Sequence, residues 1–187
     1  MGRTVARYLA LSQLNLFGFL IICTVITPGF LFKHHEGGAS NYGVHDTTVV
    51  PYTLAFLLCS IFIMRAARLL SSVARLKRFR YALYVLAYLF LLVLISTYPY
   101  KLNGFLDNLH IGIAIVLFYF ETGMAVWIAL VLLKDRLSKS LLAVEIIGFL
   151  TASFSLGGAV HILFVAQVIT AVSFGALLVR TGRCLDY

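Results

Sequence analysis

Residues Ile111–Leu133 read IGIAIVLFYFETGMAVWIALVLL, twenty-three positions carrying one charge, Glu121, before the chain turns polar at Lys134-Asp135-Arg136. About 20 apolar residues at 1.5 Å rise each cross a hydrocarbon core of ~30 Å. A run this long and this free of breakers predicts a transmembrane helix. One such helix sets lipid as the solvent against which the rest of the chain is read.

Working outward from that run, five more apolar stretches appear, giving spans at about 8–28, 49–64, 81–98, 111–133, 141–156 and 160–179. Pro51 stands in the first turn of the second, where a missing N–H costs nothing. The fifth span is short, and a Gly157-Gly158 turn joins it to the sixth. The composition agrees. Of 187 residues, 61% are apolar and 12% charged, with a mean hydropathy of +0.99, whereas soluble domains run about 45–50% apolar and about 25% charged. The expected fold class is all-α, a polytopic bundle of six transmembrane helices in a single domain spanning residues 1–187.

Charge supports the count and predicts an orientation. With segments placed alternately on the two sides, thirteen of the fifteen lysines and arginines fall on one side, leaving only Lys33 and Lys101 opposite. Cytoplasmic loops collect Lys and Arg, so both termini are expected in the cytoplasm. The net charge of +8, which on a soluble chain suggests nucleic acid, is accounted for by topology, and no nucleic-acid partner is expected. Arg3 and Arg7 precede the first apolar run as in a secretory signal. That run is too long for a signal core and lacks an A-x-A site, so an uncleaved first helix is expected. The expected location is the plasma (inner) membrane. Cys23, Cys59 and Cys184 form no CxxC pair, and no disulfide framework is expected.

Three clusters carry chemistry. The first is on the outer side, where all five histidines (His34, His35, His45, His110 and His161) fall together with Glu36, Asp46 and Asp107. Asp107 and His110 are three apart and share a helix face. His45, Asp46, Asp107, His110 and His161 form a candidate ligand set for a zinc ion; the alternative is a group of polar residues in wet loops. The second is Glu121, ten residues into its span. An acid there costs on the order of 2.5–3.5 kcal/mol and must face the bundle interior. It shares a stripe with His110, ~16 Å apart along the axis, which suggests a polar path from the outer face. The alternative is one interhelical hydrogen bond to Asn15 or Gln167. Glu145 is expected nearer the cytoplasmic end, within reach of the interface or of Lys139. The third is the segment carrying Arg65, Arg68, Arg75, Lys77, Arg78 and Arg80 without an acid, with Leu69, Leu70, Val73 and Leu76 interleaved. Such a segment attracts anionic lipid headgroups; it also fixes orientation during insertion.

Other chemistries are excluded. No span holds a lysine for a retinal Schiff base, and no P-loop, dinucleotide fingerprint or GxSxG occurs. Bis-histidine haem would have only His110 and His161 to draw on.

The run Ser40-Asn41-Tyr42-Gly43, followed by Pro51 and Phe56 entering the second span, resembles the first outer loop of Frag1/DRAM/Sfk1-type membrane proteins. It is also similar to small six-helix proteins of the DUF998 type. The likeness covers about twenty residues plus the topology. Asn41 stands where the family tends to have aspartate. The resemblance implies six spans, inner termini and a lipid-associated or regulatory role. Taken with the outer His and Asp residues and Glu121, three functions are expected in order: a lipid-interacting or partner-binding bundle without enzymatic activity, a metal-dependent hydrolase acting on lipid headgroups, and a small proton- or cation-coupled transporter using Glu121. Membrane lipids, a protein partner or a second copy of the chain are the expected partners.

Overall fold

A computed structural model describes residues 2–28, 38–99, 102–156 and 162–184. It is all-helical, and among the described residues no strand occurs. Six helices are long and apolar enough to cross a membrane. They are α1 (Gly2–Ile26), α2 (Val49–Leu69), α3 (Lys77–Thr97), α4 (Gly104–Trp127, extended by a π-helical turn Ile128–Leu133), α5 (Arg136–Leu156) and α6 (Leu163–Cys184). A 3₁₀ segment, Ala39–Val44, precedes α2, and two short 3₁₀ turns, Leu70–Ser72 and Ala74–Leu76, link α2 to α3.

Most helices run past the apolar spans read from sequence, because backbone hydrogen bonding continues beyond the hydrocarbon core into charged residues. Thus α5 begins at Arg136 and reaches 21 residues, a full crossing where the apolar run alone looked short. Local chemistry sets the ends. Asn103 caps α4, its side chain accepting from the Leu106 amide at 3.0 Å. Lys134 closes α4 in the left-handed region at φ 59°. Asp135 then starts α5, accepting from the Ser138 amide at 3.0 Å and its hydroxyl at 2.7 Å.

The helices form a ring. α1 lies between α2 and α6, α3 packs on α2, α4 on α3, and α5 on α6, while α4 and its π-helical turn meet α5 to close the ring. Burial of Leu9, Ile63, Leu83, Leu86, Ile128 and Leu177 builds the main core along this ring, and Ala152, Leu163 and Ala166 form a smaller one beside Phe118. Where α1 meets α6, a side chain on Gly182 would lie 2.8 Å from the Ala6 backbone, so only glycine permits that approach. Outside, Leu14, Val25, Ile95 and Ile147 are 60–74% exposed, as suits surroundings of hydrocarbon.

Along these helices the thirteen cations gather at one end of the bundle and the 39–48 segment lies at the other; these are called the basic end and the loop end. Described residues of the linker that sequence read as amphipathic divide accordingly: Leu70 and Leu76 are buried, while Arg65, Arg68, Arg75, Lys77 and Arg78 are exposed.

Candidate functional site, a cleft at the α4–α5 seam

The seam between α4 and α5 opens at the loop end into a cleft of about 170 Å³. Its walls are apolar: Ile111, Ile115 and Phe118 from α4, Ala152 and Leu156 from α5, and Leu163 from α6. Its rim is polar, formed by Ser40, Asp107, His110 and Gln167. Aromatic rings hold the two helices together beside the cleft. Phe149 of α5 stacks on Phe118 at 5.4 Å between centroids and meets Tyr119 edge-on at 5.0 Å.

His110 organises the rim. It is buried, with Nδ1 2.9 Å from the Ser96 hydroxyl of α3 and Nε2 2.8 Å from the Ser40 hydroxyl. One ring nitrogen donates and the other accepts. Gln167 Oε1 accepts from the Ala39 amide at 2.9 Å, tying the 39–44 turn to α6. Tyr42, fully buried, packs edge-on to Phe164 and reaches the Thr24 hydroxyl at 3.4 Å; burial pushes its phenol up from the ordinary value. Thr48 donates its hydroxyl to the Tyr42 carbonyl at 2.7 Å. Gly43 sits against the Tyr52 ring and Thr97, and an added Cβ would lie 2.5–2.6 Å from them. Asn41 is buried, and Pro51 stands in the first turn of α2. The loop motif is therefore a packed plug over the helix ends.

A deeper cavity of about 100 Å³ shares Ser40, Ala114, Phe118 and Gln167 with the cleft and reaches Glu121. Glu121 lies on the buried face of α4 together with His110 and Leu117. Among the described residues no hydrogen bond joins it to either expected partner, although Gln167 lines the same cavity. Asn15 donates to the Leu11 carbonyl of its own helix at 2.7 Å and lines an outward groove with Leu14 and Gly18, and Gln167 serves Ala39. The buried amide on α1 is Gln13, 8% exposed, beside Ser12. Glu121 instead lies near Cys59 of α2 and within electrostatic reach of Glu145.

Glu145 corrects a second expectation. It neither reaches the interface nor pairs with Lys139. It is fully buried and accepts from Ser173 of α6 at 2.7 Å. A signal for this exists in the sequence. Ser138, Leu142, Glu145, Gly148, Ala152 and Ser155 recur at helical spacing, and this mostly small stripe is the buried face of α5.

The zinc set is not brought together by the described residues, among which no three His, Cys, Asp or Glu side chains converge. His45 is exposed with Nδ1 2.8 Å from Thr47 Oγ1, Asp46 is exposed, and Asp107 stands half-buried on the cleft rim. His110 turns both ring nitrogens to serines. His34, His35, Glu36 and His161 lie outside the described residues.

At the basic end, Arg180 of α6 meets Asp135 at 3.1 Å and the Ser138 hydroxyl at 3.2 Å. The two hydrogen bonds from Ser138, reinforced by Arg180, hold the Asp135 carboxyl down at about 2. Sequence reading passed over this clamp, although Asp-x-x-Ser ahead of an apolar run is a helix-start pattern.

Set against protein-family models, characterised proteins and solved structures, the chain matches none of them.

Proposed function

We propose that this is a lipid-binding integral membrane protein, both termini in the cytoplasm, that takes one amphiphilic molecule into the cleft between α4 and α5. The observation that carries this reading is the pairing of an apolar wall with a polar rim in the cleft at the α4–α5 seam. An apolar cavity of about 150 Å³ suffices for a benzene-sized group, so a cleft of about 170 Å³ holds part of an acyl chain. The rest of the chain lies against the bilayer-facing helices, while Ser40, Asp107 and Gln167 offer acceptors and donors to the headgroup. Ligand sites of this kind are concave, mainly apolar and marked by a few convergent polar groups. The likeness of the 40–43 loop to that of lipid-associated six-span proteins agrees with this role.

Ala114 lines both the cleft and the cavity beneath it. Ala114→Phe fills them. Native mass spectrometry of the purified protein is expected to show a co-purifying lipid that this variant loses. Equal lipid occupancy in the variant ends the reading. Orientation is tested separately, since a tag after Tyr187 should be protected from external reagents in intact cells.

A second reading, a proton- or cation-coupled transporter, draws on the deeper cavity reaching Glu121. On that reading Glu121→Gln abolishes pH-driven flux in liposomes, and unchanged flux removes it.

A further inference from the structure

A third cavity, of about 440 Å³, lies at the basic end. Arg75, Lys77 and Arg78 form its rim, and Phe79 and Trp127 line it, their rings 6.2 Å apart. Val131 and Leu132, on the π-helical turn of α4, complete the wall. The three cations stand close together in sequence and in space. Among the described residues none of them carries an ion pair, and no acid lines the cavity. Three unneutralised like charges on one rim repel one another, and a bound anion relieves that repulsion. The start of α3 adds to the effect. It lies in this wall with no acidic residue in its first turn and no side-chain cap, so its amide dipoles favour negative charge there.

The apolar half of the cavity selects between a free anion and a lipid. Leu130 and Val131 are about half exposed on the outer face of α4, continuing the wall along the bilayer-facing surface. Tryptophan sits at headgroup depth in membrane proteins, and basic pockets between helices on the cytoplasmic side hold anionic headgroups. We propose that this cavity is a discrete site for one anionic phospholipid, its phosphate on Arg75, Lys77 and Arg78 and its chains along Val131. The site rests on the reading of the protein as lipid-embedded, but it is independent of the cleft.

The test uses the purified full chain in detergent, titrated with phosphatidylglycerol or phosphatidylcholine and read by native mass spectrometry. Wild type is expected to retain one phosphatidylglycerol in preference to phosphatidylcholine. The double variant Arg75→Gln/Arg78→Gln should weaken that binding about 30-fold, at about 1 kcal/mol per basic residue. Arg65→Gln/Arg68→Gln removes the same charge at the end of α2, outside the cavity, and should leave it unchanged. Equal loss in both pairs means diffuse attraction and overturns the site, as does an equal response to the two lipids. Displacement by glycerol phosphate at comparable concentration overturns the lipid assignment, since the chains would then contribute nothing. Should the first double variant fail to fold, Val131→Asp, on the bilayer-facing wall, takes its place: it should weaken phosphatidylglycerol at least tenfold, and unchanged binding overturns the site. Ala114→Phe leaves this binding intact, so failure of the cleft and failure of this site are told apart.

Discussion

The Nε2 atom of His110 lies 2.8 Å from the hydroxyl of Ser40, seventy positions earlier in the chain. With Ser96 on the other ring nitrogen, this imidazole joins α3, α4 and the 39–44 turn at the mouth of the cleft. His110→Ala removes both hydrogen bonds and leaves two hydroxyls facing an empty site. The expected cost is about 1–3 kcal/mol, seen as a lower unfolding temperature in detergent. Amide exchange in residues 39–44 should accelerate with it. Unchanged exchange there would mean that the turn is held without the histidine.

Gly43 has no room for a side chain. Gly43→Ala drives a methyl group into the Tyr52 ring and Thr97, whose hydroxyls lie 3.1 Å apart. Overpacking of this kind costs about 1–3 kcal/mol. Thermal unfolding of the variant checks it, and a melting temperature equal to wild type contradicts the packing described.

Asp135 makes stability depend on acid. Its carboxyl is held at about 2, against an ordinary 3.8, by Ser138 and Arg180. A depressed carboxyl contributes stability that is present above its unfolded value and lost as pH falls through the folded one. The clamp therefore stabilises the α4–α5 turn above about pH 4 and fades toward about pH 2. Asp135→Asn should flatten that part of a melting-temperature-against-pH curve. An unaltered acid limb would assign it to other carboxylates.

Lys134 occupies the left-handed region at φ 59°, a conformation costing side-chain-bearing residues roughly 1–2 kcal/mol. Lys134→Gly relieves that strain, offset in part by the greater freedom of glycine when unfolded. A net gain of about 0.5–1 kcal/mol is expected in chemical denaturation. A loss of stability would show that the lysine makes a compensating contact.

Four structural features separate what was legible from what was not. The number of helices and their apolar lengths are properties of the chain itself, since a run such as Ile111–Leu133 has one favourable solvent whatever its neighbours do. The burial of Glu121 follows on the same ground, because an acid at that depth has nowhere else to face. The identity of its neighbours does not. Asn15 and Gln13, two residues apart on α1, face nearly opposite ways, and it is the packing of the bundle that sets Gln13 against Gly175 of α6 and leaves Asn15 outward. Likewise the spacing of Asp107 and His110 places them on one face, yet the cleft they border is formed by residues of α5 and α6 brought beside α4 by the packing of the bundle. Periodicity is local, written within a helix by its 3.6-residue turn. Which stripe meets which, and where a seam is left open, is decided by side-chain fit between helices far apart in sequence, and that emerges only when the bundle closes.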